Sequence, residues 1–225
     1  MRGLKNAALV SGIAVIAAMT SRAQATTIYW ADLTSDTSSS VSGTITSPSG
    51  SVGVTYSGGY AFDQLNNTGT NYWSPTGYTE GLVNAPSTSD IVAFSAAGTG
   101  TLTFSHPVTN VYVAFNSWNG AQVTFSSPFT IVSQGCGYWG CGSFVPNADS
   151  TGFTGNGETV GVLEFAGVIS SLTITDTTSE YWHGATVGVA DVSAVPLPAA
   201  LPMFGAALAG VTALGAKRRR ASVTL

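Results

Sequence analysis

Residues 91–125, IVAFSAAGTGTLTFSHPVTNVYVAFNSWNGAQVTF, carry the strongest structural signal in the chain. Apolar Val, Leu, Tyr and Phe alternate with small or polar residues in short runs, which is typical of half-buried β-strands. Residues 106–110 and 116–120 contain Pro, Asn or Gly and predict turns between these runs. The pattern therefore predicts a β-meander, with consecutive antiparallel strands, over residues 91–125.

Similar short runs occur on both sides of this stretch, and together they predict roughly ten strands. They lie at residues 27–31, 41–46, 52–56, 162–165, 172–175 and 186–192. Because no 3.6-residue apolar period is sustained in residues 26–194, we expect few helices. The prediction is all-β, a single antiparallel two-sheet sandwich of the jelly-roll kind. Residues 57–89 and 133–157 lack periodicity and are predicted to be long irregular loops, which are commonly functional or mobile.

The charged residues are segregated along the chain. The sequence has 7 Lys and Arg against 11 Asp and Glu, which gives a formal charge of −4. No Lys or Arg lies between Arg22 and Lys217, whereas every acidic residue does. Because phosphate binding relies on Lys and Arg, a body without either excludes nucleic-acid binding and P-loop chemistry.

Residues 1–25 form the first of two predicted targeting segments. A positively charged start precedes a small apolar run over residues 7–18, and the triplet Ala-Gln-Ala follows at residues 23–25. This order is typical of a secretory signal peptide with its cleavage site. The apolar run is shorter than the roughly 20 residues that a membrane span requires. We therefore predict export and cleavage after Ala25.

Residues 195–225 contain a second targeting signal, in three parts. A short motif is followed by an apolar stretch over residues 200–216 and then by a basic cluster. As a helix the apolar stretch reaches about 26 Å, enough to cross a hydrocarbon core. By the positive-inside rule the basic cluster stays in the cytoplasm, with the body outside. The motif is Val195, Pro196, Leu197, Pro198 and Ala199, and the cluster is Lys217, Arg218, Arg219 and Arg220.

This tail resembles the PEP-CTERM family of sorting signals, in the variant whose motif is Val-Pro-Leu-Pro-Ala. The resemblance covers residues 195–220, and Leu197 stands where many relatives have Glu. It implies transient processing by an exosortase-type membrane protease at or near the motif. It also implies a Gram-negative bacterium that makes extracellular polysaccharide, with the mature protein at the cell surface or in the extracellular matrix.

Cys136 and Cys141 are the two cysteines of the sequence. An even count in an exported protein favours a disulfide, whereas two thiols without a nearby His or second Cys pair make half of a zinc-ligand set. We predict a disulfide between them, with a metal site as the alternative. Because its loop is short, we expect it to hold Tyr138 and Trp139 in place more than to stabilise the fold.

Four of the five Trp residues directly follow a Tyr, at residues 29–30, 72–73, 138–139 and 181–182. Exposed aromatic rings suit stacking against sugars, and the simpler alternative is packing in the core. The first pair lies in a strand-like run, which favours packing. The candidate carbohydrate-binding residues, with core packing as an equal alternative, come from the two predicted loops: Tyr72, Trp73, Tyr138 and Trp139.

The sequence offers little support for catalysis. It has only two His residues and contains no hydrolase signature motif. Because a glycosidase needs only two carboxylates, a carbohydrate-active enzyme is the alternative function, although we expect the acids to be solvated surface groups. No cofactor is predicted. Residues 155–158 and 176–180 offer oxygen ligands for calcium without matching a known calcium loop, so calcium is the alternative.

Together these patterns predict a secreted, non-enzymatic β-sandwich protein that an exosortase sorts. The expected partners are extracellular polysaccharide, the sorting protease, and the inner membrane before processing. Two other functions stay open: a secreted carbohydrate-active enzyme, and a purely structural or adhesive surface protein.

Overall fold

The computed structural model describes residues 26–73, 76–79 and 84–192. The predicted signal peptide, the sorting motif with its apolar stretch, and the basic tail lie outside these ranges. Among the described residues, no helix has the length and hydrophobicity that a transmembrane span requires.

The described ranges are all-β, with one short 3-10 turn at Thr76–Tyr78. Val, Ile, Thr and Phe at alternate positions favour extended backbone and cover one face of a sheet with apolar side chains. The strands are β1 Tyr29–Trp30, β2 Asp32–Thr37, β3 Ser40–Ser47, β4 Gly50–Ser57, β5 Phe62–Gln64, β6 Ile91–Phe94, β7 Gly98–Asn116, β8 Gln122–Phe125, β9 Thr130–Gln134, β10 Gly142–Pro146, β11 Gly152–Gly157, β12 Gly161–Asp176 and β13 His183–Val189.

The two longest strands, β7 and β12, form the centre of a continuous antiparallel sheet. They pair with each other from Gly161 opposite Phe115 to Asp176 opposite Gly98. On its other edge, each of these two strands changes its pairing partner along its length. The first part of β7 pairs with β4 and its second part with β13, while β12 pairs first with β9 and then with β8. The sheet is therefore divided into two groups of strands.

These two groups pack against each other as two layers. The first contains β2, β3, β4, β8, β10 and β11, and the second contains β1, β5, β6, β9 and β13, with β7 and β12 shared between them. Val54 and Leu172 from the first layer lie in one buried cluster with Val113 and Val187 from the second. The fold is thus sandwich-like, as the sequence predicts.

The shared strands change layers at irregular pairings. Residues 105–107 of β7 have no ladder partner among the described strands, and the register of β12 shifts between Phe165 and Val168. Gly167 and Asn110 have positive φ angles of 96° and 57°, and the Gly167 N–H donates to Asn110 Oδ1 at 2.9 Å. Bulges of this kind bend a strand and redirect it.

The predicted meander over residues 91–125 is wrong. Residues 106–110 lie inside β7 and do not form a turn. The strand accommodates Pro107 because this residue falls in the unpaired part, where no ladder hydrogen bond requires the N–H that proline lacks. β6 pairs with β5 and β13, and β8 pairs with β11 and β12. Apolar alternation identifies a strand but not its partner, so long-range pairing overrides the order along the chain.

The two predicted long loops have different outcomes. Residues 133–157, predicted to be irregular, contain β10 and β11. Frequent Gly and Asn residues obscure the alternation there, although Phe144 and Phe153 are buried in the main core. After Ser57, the last residue of β4, the described part of residues 57–89 contains only β5, the 3-10 turn and irregular backbone.

A second buried cluster covers the outer face of the layer that contains β13. Successive residues of β7 point to opposite faces, so Val113 and Phe115 join the main core while Tyr112 and Ala114 join this second cluster. Trp73 and Tyr78, from the described part of the segment between β5 and β6, add buried aromatic rings to this cluster. The candidate site lies at the edge of this second cluster.

Candidate functional site

Trp73 and Tyr72 are adjacent in the chain but differ in environment. Trp73 is 1% exposed, packs edge to face against Tyr78 at 5.5 Å, and donates from Nε1 to the backbone oxygen of Asp90 at 3.2 Å. It presents no ring face to a ligand, so the expectation of an accessible ring at Trp73 is corrected. Core packing accounts for this residue. Tyr72 is half-buried and its ring packs against other surface aromatic side chains.

The segment that leads to Tyr72 is held by the buried carboxylate of Asp90. Asp90 accepts from the Leu33 N–H at 2.8 Å and from the Asn67 N–H at 2.7 Å. Asn67 has a φ of 54°, a left-handed conformation that Asn tolerates. Burial raises the pKa of Asp90, while the two backbone hydrogen bonds act in the opposite direction. The carboxylate thereby ties this segment to β2.

Cys136 and Cys141 form a disulfide, which confirms the prediction. Between them the Gly137 N–H donates to the Gly140 oxygen at 2.7 Å, and the Gly142 N–H donates to the Gly135 oxygen at 3.0 Å. These bonds close a tight turn, which we call the disulfide turn, over residues 135–142. Its tip carries Tyr138 and Trp139, which are 48% and 52% exposed.

Five rings meet at the surface and form what we call the aromatic cluster. They belong to Phe62, Tyr72, Tyr138, Trp139 and Trp182. Tyr72 is central, with ring centroids 5.2 Å from Tyr138, 6.3 Å from Trp139 and 5.0 Å from Trp182. The two indoles stand almost at right angles, 6.1 Å apart with an interplanar angle of 80°. Three distant segments of the chain therefore build one surface.

An open cleft of about 460 Å³ lies beside the aromatic cluster. Its aromatic wall consists of Trp139, Trp182 and Tyr181, and Tyr181 is 95% exposed. Its polar wall consists of Ser117, Asn119, Glu158 and Glu180. The cleft thus combines apolar ring faces with hydrogen-bonding groups.

Glu158 is fixed on the polar wall by neutral donors. It accepts from Ser117 Oγ at 2.5 Å and from Asn119 Nδ2 at 3.2 Å. Its side chain packs on Gly140 of the disulfide turn, where an added Cβ would lie 3.0 Å from the Glu158 Cγ. Gly140 therefore allows the turn that carries Trp139 to lie directly against this glutamate.

His183, at the start of β13, lies between two carboxylates and is completely buried. Nε2 is 3.0 Å from Asp176 Oδ2, and Nδ1 is 2.9 Å from Glu180 Oε1. Both ring nitrogens lie within ion-pair distance of a carboxylate oxygen, an arrangement that favours the protonated, imidazolium form of the ring. Burial lowers the pKa of His183, but hydrogen bonds and charges from Asp176 and Glu180 outweigh burial and raise it above 6.5. The Trp118 ring packs 4.1 Å from it.

The electrostatic environment of the cleft is negative. Even when protonated, His183 balances only one of its two carboxylate partners, and Glu158 is bonded to neutral groups. No Lys or Arg lies between Arg22 and Lys217 to offset these charges. The arrangement can accept hydrogen bonds from a ligand and attract positive charge.

The two segments considered for calcium meet at the cleft, since Glu158 and Glu180 both line it. Asp176, however, is engaged by protein groups: Oδ2 faces His183, and Oδ1 accepts from the Thr178 N–H at 2.9 Å. Over the described ranges, no group of three or more His, Cys, Asp or Glu side chains could hold a metal ion.

The sequence predictions assigned no role to Tyr181, Trp182 or His183. The available signal was the repeated Tyr-Trp pair, because residues from three of the four pairs contribute to this surface. The pair at residues 29–30 behaves as expected and packs on β13, with Trp30 buried.

The chain matches no protein-family model, no curated protein and no solved structure. The fold and the site by themselves define an all-β, sandwich-like protein with a surface aromatic cleft that a disulfide turn helps to build.

Proposed function

We propose that this chain is an exported, non-enzymatic polysaccharide-binding protein of the bacterial cell surface or extracellular matrix. The observation that carries this proposal is the meeting of aromatic rings from three segments, with Trp139 and Tyr181 exposed, beside a polar wall. Sugars present apolar C–H faces and hydroxyl groups, so they require both kinds of surface. The cleft supplies ring faces from Trp139, Tyr181 and Trp182 and acceptors from Glu158 and Glu180.

The expected affinity of a single domain is low. Each exposed ring contributes on the order of 1 kcal/mol beyond its area burial, so two or three rings give millimolar-scale binding. Retention in a matrix then depends on many copies along one polymer, through effective concentration.

The export half of the proposal depends on the terminal segments. In it, residues 1–25 are a cleaved signal peptide, and residues 195–225 are an exosortase-processed sorting signal with a transmembrane helix over residues 200–216. The Cys136–Cys141 disulfide supports an oxidising compartment. Intact mass of protein recovered from the culture medium tests both cleavages, since a species that retains residues 217–225 would contradict sorting.

Affinity electrophoresis of the full chain in mild detergent tests the binding half, in gels that contain the producer's exopolysaccharide. Wild type should be retarded, and the variant with Trp139→Ala and Tyr181→Ala should lose retardation because both exposed ring faces are gone. Val168→Ala is the matched control, since Val168 is 64% exposed on β12 and does not line the cleft. Equal retardation of the double variant would reject the cleft and favour a structural or adhesive protein.

A second candidate, a glycoside hydrolase, is favoured by one observation: Glu158 and Glu180 line the same aromatic cleft. Glycosidases use a pair of carboxylates on either side of the scissile bond. Release of reducing ends from the exopolysaccharide by wild type, lost in Glu158→Gln, would support this candidate. Binding without any release of reducing ends would reject it.

A further inference from the structure

The charge of the cleft restricts which sugars it can bind. Of the seven residues that line it, two are glutamates and none is Lys, Arg or His. Around it, the body between Arg22 and Lys217 holds all 11 Asp and Glu and no Lys or Arg. The glutamates in the cleft and the acidic body around it would repel an anionic sugar. The same charges would attract a cationic sugar.

The two glutamates are held differently, and both can serve a cationic ligand. Glu158 is anchored by Ser117 and Asn119, which are neutral donors and leave its charge uncompensated. Glu180 faces His183 with Oε1, 2.9 Å from Nδ1, and its side chain also lines the cleft. A protonated amine offers three N–H donors and a positive charge, which match two carboxylates better than a hydroxyl does.

The aromatic wall adds an independent reason for the same ligand class. Trp139 and Trp182 stand at 80° to each other, and Tyr181 is almost completely exposed beside them. Indole faces attract cations as well as C–H groups, and this attraction is strongest at Trp. The ring of an amino sugar can therefore stack on one indole while its ammonium group interacts with the glutamates and with the neighbouring ring.

We propose that the cleft selects amine-bearing sugars, namely a hexosamine polymer that carries free amino groups, through Glu158 and Glu180 beside the rings of Trp139, Tyr181 and Trp182. The inference rests on the proposed polysaccharide-binding function and specifies its ligand. N-acetylation removes the charge and two of the three donors, so acetylated polymer binds only through ring stacking and hydroxyl groups.

The test compares three oligosaccharides of equal length by isothermal titration calorimetry with the full chain in mild detergent at pH 5.5. They are a glucosamine hexamer, an N-acetylglucosamine hexamer and a glucose hexamer. We expect the glucosamine hexamer to bind at least about tenfold more tightly than the other two, with the preference reduced in high salt because charge attraction is screened.

Glu158→Gln should sharply reduce this preference, because it removes the charge of one of the two glutamates that line the cleft. Glu164→Gln is the matched control, since Glu164 lies on β12 outside the cleft and accepts from Tyr112 Oη at 3.0 Å. It should retain the full preference. Equal binding of all three hexamers, or an unchanged preference in Glu158→Gln, would overturn the inference while the proposed function stands. Absence of binding by any hexamer and by the exopolysaccharide would overturn both.

Discussion

His183 connects the core to the cleft. Its ring packs against buried Trp118, and its Nδ1 holds Glu180, which lines the cleft next to Tyr181 and Trp182. A buried imidazolium is stable here only because two carboxylates face it. The residue therefore stabilises the fold and positions one wall of the site at the same time.

His183→Gln should lower the free energy of unfolding by about 3 kcal/mol, because removing the cation leaves two carboxylates close together in a largely buried place. Urea denaturation at pH 6 measures the change. His106→Gln is the control: His106 is half-buried in β7, with Ser105 Oγ at 3.3 Å from its ring, and should change stability by less than about 0.5 kcal/mol. Similar losses for both variants would contradict the role of the carboxylate pair.

The raised pKa of His183 also predicts a pH dependence of stability. The folded protein binds the proton more tightly than the unfolded chain, whose pKa is near 6.5. The stabilisation is therefore complete below pH 6.5 and is lost as pH rises through the higher folded-state pKa. Urea midpoints measured from pH 6 to pH 9 should decline in wild type, and this decline should be absent in His183→Gln. A decline of equal size in both proteins would count against this assignment.

Among the structural elements, the bulge at Asn110 and Gly167 determines where β7 and β12 change layers. Gly167 has a φ of 96°, and an added Cβ would meet no atom within 4 Å, so backbone strain is the sole cost of a side chain. Gly167→Ala should destabilise by about 1–2 kcal/mol, measured by thermal or urea unfolding.

Gly98→Ala is the matched control for this glycine. Gly98 lies on β7, has equally open surroundings and does not have a φ in the left-handed region. Its substitution should change stability by less than about 0.5 kcal/mol. Equal losses of stability for the two substitutions would show that a side chain at Gly167 adds no backbone strain to the bulge.

The disulfide turn is the second element with a specific expectation. Replacing Cys136 and Cys141 with Ser should cost about 2 kcal/mol, the chain-entropy value for a short loop. Amide hydrogen exchange should accelerate at Gly137 and Gly142, whose N–H groups close the turn. The Gly155 amide, which is bonded to the Ala121 oxygen outside the turn, should lose less of its protection against exchange. Uniform loss of protection at all three amides would mean that the disulfide supports the whole fold.

For the whole molecule, charge segregation has a consequence that proteolysis can measure. A processed product that starts at Thr26 and lacks residues 217–225 contains no Lys or Arg. Trypsin should leave it intact even in urea, whereas chymotrypsin should cut it readily under the same conditions. Tryptic fragments of extracellular material that end at Lys217 or Arg218 would show that the tail is retained.

The sequence by itself determined the features that depend on local residue patterns or on which residue types are present. Alternating Val, Thr and Phe identified most strands, because side-chain direction in a strand has a period of two whatever the partner is. With two cysteines only one disulfide is available within the chain. The absence of Lys and Arg from the body, and the repeated Tyr-Trp pairs, are likewise visible without a structure.

The tertiary structure alone decided which strands pair, which rings are exposed and where charges meet. β7 pairs with β12 through both layers, with a bulge where the two strands change layers, and no local pattern specifies that partner. Trp73 is buried while Trp139 is exposed, although both follow a Tyr in segments of similar composition. Glu158 and Glu180 line one cleft, and His183 packs against Trp118, only in the folded chain. Burial and pairing depend on contacts between distant segments, and these contacts exist only in the folded chain.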